Sequence, residues 1–220
     1  MKKVIKFGED VKGYDIPVLN EREIRASAGI LFLAIVISIL PIEVKRDFIL
    51  FKYVITSILT DFIIRVFISP RFSPSLIIGR LIVGNQAPEY VGAQPKKFAW
   101  IIGVVLSAFM FTYLVIVNAY GWVTVIGCLF CLVFLFFESA FGICLGCKLY
   151  SMIYKNKAQH CPGEICDVHS KQEIQKTSGV QLLVVVGLIV FIFLTALLFN
   201  DTFSKPPYDM FGIDQPVKSK

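Results

Sequence analysis

Phe98 to Val117 reads FAWIIGVVLSAFMFTYLVIV, 20 residues without a charge. At about 1.5 Å per residue, a helix of that length matches a hydrocarbon core about 30 Å thick. Two more runs have the same character: Trp122 to Phe137 (WVTVIGCLFCLVFLFF) and Val180 to Phe199 (VQLLVVVGLIVFIFLTALLF). No soluble fold needs three such runs. Working outward, 56% of the 220 residues are hydrophobic and 17% charged, with a mean hydropathy of +0.72. A soluble domain of this length needs more polar residues to cover its surface. Met1 to Arg25 is charged throughout and has no apolar core segment, so no cleavable signal peptide is expected. There is no internal repeat and no low-complexity tract.

The reading is therefore all-α: a polytopic transmembrane helix bundle of about five spanning helices. The spans fall near residues 24–42, 48–68, 98–117, 122–143 and 180–199, all within one membrane domain, 1–199, followed by an outer tail, 200–220, expected to be loose. Asn20 suits the N-cap of the first helix, with Glu23 three residues on as in a capping box and Glu21 at the positive end of the dipole. Ile42 to Arg46 reads as a short hairpin. Pro70, Pro74, Pro88 and Pro95 exclude a spanning helix before Phe98. Between them, Ser75 to Val83 reads as a short interfacial helix whose Arg80 reaches for headgroups. The fourth helix is expected to run on to about Tyr154, and 155–178 is a polar Cys/His loop.

Lysine and arginine set the orientation. The N-terminal segment and the second-to-third and fourth-to-fifth connections carry 16 of them, the opposite side 6. The positive-inside rule puts the N-terminus in the cytosol and the C-terminus outside the cell membrane. The net charge of +6 is thus a membrane-flanking charge, with no nucleic-acid partner expected.

Six cysteines fall in three pairs: Cys128/Cys131, Cys144/Cys147 and Cys161/Cys166. The last two pairs face the reducing cytosol in this topology, which favours metal binding or reversible thiol chemistry over a structural disulfide. Cys144-Leu145-Gly146-Cys147, a loop, then Cys166-Asp167-Val168-His169 is the ligand pattern of a tetrahedral zinc site, with Cys161 or His160 as alternates. The bland alternative is separate reduced thiols with no shared role. Cys128 and Cys131 lie in an apolar helix and read as small hydrophobes.

Three ionisable residues sit within spans. Asp61 and Arg65, four apart, share a helix face and can pair, and Glu138 is expected near them. They either pin helix packing or line a polar cavity where Arg65, helped by Arg71, Lys96 and Lys97, attracts an anion. If the fourth helix is continuous, Cys144 and Cys147 point away from Glu138 and the two belong to different sites; Gly142 and Gly146 could break it and undo this.

Pro17-Val18-Leu19-Asn20-Glu21-Arg22-Glu23-Ile24-Arg25, Asp61-Phe62-Ile63-Ile64-Arg65, Pro70-Arg71-Phe72-Ser73-Pro74, Pro95-Lys96-Lys97-Phe98-Ala99 and Glu138 through Cys144-Leu145-Gly146-Cys147-Lys148-Leu149-Tyr150 resemble the bacterial membrane family named domain of unknown function 4395. The resemblance covers roughly Asp15 to Tyr154. It implies an accessory protein of the bacterial inner membrane whose genes lie near thioredoxin-like and rhodanese-like genes, and hence sulfur or thiol handling. Some relatives carry C-x-x-C where this chain has Cys166-Asp167-Val168-His169; a Cys-for-His exchange keeps a zinc ligand and destroys a dithiol.

The leading expectation is a non-enzymatic membrane protein that binds or passes a small sulfur species, anion or sulfane sulfur, at the cytosolic side, with a zinc-stabilised loop. A rival is a membrane thiol-disulfide oxidoreductase working through Cys144 and Cys147. A third is a scaffold docking a soluble thioredoxin-like or rhodanese-like partner. A homo-oligomer could complete a transport path that one subunit lacks. No hydrolytic triad or phosphate loop is legible.

Overall fold

The computed structural model describes residues 7–11, 14, 16–154 and 177–209. β1 (Val18–Asn20) pairs antiparallel with β2 (Tyr90–Gly92), Val18 opposite Gly92. α1 (Glu21–Lys45) follows directly. Asn20 caps it: Oδ1 accepts the Arg22 and Glu89 amides, both at 3.2 Å, and Nδ2 donates to Glu23 Oε1 at 3.0 Å. The helix passes through Pro41 and stops only at Arg46, in the left-handed region at φ 55. The hairpin expected at Ile42 is thus the last helical turn.

α2 (Ile49–Ile63) continues into a π-helical turn, Ile64–Ile68, so the second expected span is a composite. A 3-10 turn (Pro70–Phe72) leads to α3 (Pro74–Val83). α3 is packed on α1 so closely that a Cβ on Gly79 would lie 2.7 Å from the Glu23 carbonyl oxygen. Arg80 is 5% exposed and its Nε donates to Glu23 Oε2 at 3.0 Å. The expected headgroup role for Arg80 is therefore corrected: a partner carboxylate inside the protein offsets desolvation better than a long reach to the interface.

α4 (Ala93–Phe111) ends in a second π turn, Thr112–Ile116. It starts five residues before the expected Phe98, because Pro95 falls in the first turn, where no amide partner is needed. β3 (Ala119–Tyr120) leads into α5 (Trp122–Phe141), then α6 (Leu145–Tyr154), α7 (Gly179–Ser204) and β4 (Tyr208–Asp209), which pairs parallel with β3. The expectation of one helix from Trp122 to Tyr154 is overturned. Gly142 caps α5 at φ 66, a conformation costly for a residue with a Cβ.

Among the described residues, four helices are long and apolar enough to cross a membrane: Glu21–Lys45, Ala93–Ile116, Trp122–Phe141 and Gly179–Ser204. Their outward faces carry large apolar side chains, such as Val105 at 65% and Leu198 at 74% exposure, a surface suited to lipid. The core between them holds Ile24, Ile35, Phe51, Ile55, Met110 and Leu114. α7 is tied at both ends. Ser178 and Gln181 form a capping box, and Gln181 Nε2 donates to the Arg71 carbonyl at 2.9 Å. Phe203 stacks on Tyr53 at 4.6 Å, and the fully buried Lys52 donates to Asn118 Oδ1 (2.7 Å) and the Lys205 carbonyl (2.8 Å). These contacts fix the chain as far as Asp209, where a loose tail was expected from Asp201.

Candidate functional site

Two buried charged clusters and one dithiol each contribute a residue to the wall of a common cavity: Arg65, Glu138 and Cys144. The first cluster is the expected pair. Arg65 Nε donates to Asp61 Oδ2 at 2.8 Å, and both side chains are 3% exposed. Sequence reasoning missed what completes it. Ser73 Oγ donates to Asp61 Oδ1 at 2.7 Å; the Ser75 amide reaches the same oxygen at 2.9 Å, and Ser75 Oγ donates to Oδ2 at 2.7 Å. Arg65 Nη2 donates to Ser27 Oγ at 2.5 Å and to Ser75 Oγ, and Nε also meets Ser73 Oγ at 3.1 Å. Phe62 and Trp100 lie against the guanidinium at 4.9 and 5.2 Å. Ser73 and Ser75 flank Pro74 at the start of α3, a helix-start signal that marks their place but not their partner.

The second cluster was unexpected. Lys96 was read as a loop cation helping Arg65. It lies instead in the first turn of α4, 4% exposed, with Nζ 2.5 Å from Glu138 Oε1 and 2.7 Å from Glu21 Oε2. Glu138 therefore pairs with Lys96 rather than with the Asp61–Arg65 pair. Glu21, read only as a dipole partner, is brought in because α1 and α4 start side by side at the β1–β2 ladder. Arg71 is exposed, and Lys97 sits over the Phe7 ring at 5.0 Å, so neither joins this group.

The break at Gly142 sets the dithiol. After α5 ends, Cys144 takes the N-cap position of α6: its carbonyl accepts the Lys148 amide at 3.1 Å, and its Sγ accepts the Cys147 amide at 3.3 Å. A helix N-terminus favours negative charge at that sulfur. Gly146 packs against α4 so tightly that a Cβ there would meet Ala99 Cβ at 2.5 Å. This contact holds Cys144 within electrostatic reach of Lys96 and Glu138, and Cys147 within reach of Lys96. The break at Gly142 is the alternative the sequence left open, and with it Glu138 and Cys144 border one site. A side-chain hydrogen bond with Cys147, distinct from the amide contact, and then burial push the Cys144 thiol well above the usual thiol range, while Lys96 pulls it down.

The cavity lies among α1, α2, α4 and α5 and has a volume of about 80 Å³. That is room for several waters at about 10–15 Å³ each. Arg65, Glu138, Cys131 and Cys144 share its otherwise largely apolar wall. Cys131, read as a plain core thiol, thus borders the same space as Cys144. Cys147 does not line it.

Of the expected zinc ligands, only Cys144 and Cys147 are among the described residues; His160, Cys161, Cys166 and His169 lie outside them. Among the described residues, no group of three or more His, Cys, Asp or Glu side chains could hold a metal ion. The two described sulfurs supply half of a tetrahedral thiolate set.

A family model described as domain of unknown function 4395 matches residues 19–155, a stretch holding both charged clusters, the cavity and the dithiol. No curated protein and no solved structure matches the chain.

Proposed function

The chain belongs to the family described as domain of unknown function 4395, and on that premise we propose that it is a membrane sulfur-binding protein whose working group is the Cys144/Cys147 dithiol. One observation carries this reading: the break at Gly142 turns the dithiol back onto the Lys96–Glu138–Glu21 cluster and onto the wall of a small, largely apolar cavity. Electrostatics chooses between the two sulfur species. The Arg65 charge is cancelled by Asp61 at 2.8 Å, and Lys96 is shared by two carboxylates. Neither cation has charge to spare for an anion, so the ligand is a sulfane sulfur taken up covalently rather than a free sulfur anion. A thiolate of the pair attacks the outer sulfur of a persulfide R–S–SH. The S–S bond breaks, the protein gains a persulfide, and R leaves as a thiol with the proton, without net oxidation.

The 16-to-6 distribution of basic residues supports a cytosolic dithiol. A soluble thioredoxin-like or rhodanese-like partner is of the class that could exchange sulfur there. Reduced full-length protein in lipid nanodiscs, treated with glutathione persulfide, should gain one sulfur atom by intact mass and lose it to excess thiol. The gain should vanish in C144S/C147S. Conversion of the pair to a disulfide with no retained sulfur would favour an oxidoreductase instead.

A zinc-stabilised loop is the second reading, favoured by the paired Cys144 and Cys147 sulfurs. Stoichiometric zinc lost in both C144S and His169→Ala would establish it, because His169 matters to a metal site and not to thiol exchange.

A further inference from the structure

We infer that the two cysteines have unequal roles: Cys147 receives the sulfane sulfur and Cys144 stores it, with the terminal sulfur projecting into the cavity. This rests on the dithiol reading and deepens it. The asymmetry is geometric. Cys144, Leu145 and Gly146 line the cavity, and Cys147 does not. The two cysteines are three apart on α6, with the Cys147 amide bonded to the Cys144 sulfur at 3.3 Å, so sulfur can pass between them without moving backbone.

The cavity suits a stored persulfide. About 80 Å³ accommodates an added sulfur with space left over. Ala99, Trp100 and Leu135 are among the apolar residues that line the cavity with Cys144, and an apolar wall disfavours the approach of charged nucleophiles. The transfer balances. The Cys147 thiolate takes the outer sulfur from R–S–SH, releasing R–SH. The Cys144 thiolate then attacks the outer sulfur of Cys147–S–SH, forming Cys144–S–SH and returning Cys147 as a thiolate that regains a proton. Attack on the inner sulfur would instead give a disulfide and expel hydrosulfide. Cys131 borders the same cavity, so its role can be read in the same experiment.

Full-length protein in nanodiscs is loaded with glutathione persulfide, blocked with an alkylating reagent, and mapped by peptide mass spectrometry. In the wild type the extra sulfur should reside on Cys144, and its removal by cyanide should be about tenfold slower than from Cys147 in C144S, where nothing shields it. C147S should end with the same Cys144 persulfide, loaded about tenfold more slowly. C128S, outside the cavity wall, should load as the wild type does. Retention on Cys147 in the wild type, or on Cys131, overturns the assignment and leaves the dithiol reading standing in the first case. Uptake on no cysteine overturns both.

Discussion

Replacing Lys96 with Met removes one ammonium and strands two carboxylates. Lys96 Nζ lies 2.5 Å from Glu138 and 2.7 Å from Glu21, with Lys96 5%, Glu138 14% and Glu21 10% exposed at the side chain. Removing one partner of a buried pair costs about 3–5 kcal/mol, because the other charge stays desolvated. Here two charges lose their partner, but one carboxylate can take a proton and Arg25 remains near Glu21. A net cost of about 3 kcal/mol follows, or about a hundredfold in the unfolding constant. The triple variant K96M/E21Q/E138Q should recover most of it, since a neutral set carries no stranded charge. Unfolding in mixed micelles with rising SDS, followed by tryptophan fluorescence, reads both variants. A K96M cost below about 1 kcal/mol, the size of an average substitution, would refute the reasoning. So would a triple variant no more stable than the single one.

R65M should cost less, about 2 kcal/mol, because Asp61 keeps its bonds from Ser73 and Ser75; D61N/R65M should be milder still in the same unfolding assay. G146A should push α6 off Ala99 and make the bound sulfur as quickly removable by cyanide as in C144S while the protein stays folded, as read by intact mass and circular dichroism. The Cys144 thiol is held up by its side-chain hydrogen bond with Cys147 and by burial, so its alkylation in the folded protein should begin only above the pH at which the unfolded chain reacts. The sign for stability follows: the unfolded thiol ionises first, so this group makes folding less favourable as pH rises through the ordinary thiol range.

The spans were legible because lipid demands long uninterrupted apolar runs, and Phe98 to Val117 and Val180 to Phe199 could be little else. The Asp61–Arg65 pair was legible because helical spacing places residues four apart on one face. Lys96 was misplaced because Pro95 was read as a barrier when it sits in a first turn, where proline is at home. Its pairing with Glu21 and Glu138 spans three separate helices and leaves no periodic trace in the chain. Arg80 was sent to the headgroups because nothing local announced Glu23, 57 residues away, as its partner. The joining of Glu138 and the dithiol hung on Gly142. A glycine marks a place where a helix can end, and only packing of Gly146 on Ala99 decides that it does.

Cyanide-releasable sulfur in full-length protein, purified anaerobically after expression with a persulfide-generating enzyme, tests the central claim most directly. About one such sulfur per chain is expected, lost in C144S/C147S but retained in C128S/C131S. Protein carrying stoichiometric zinc on Cys144 and Cys147 and no releasable sulfur would contradict the account.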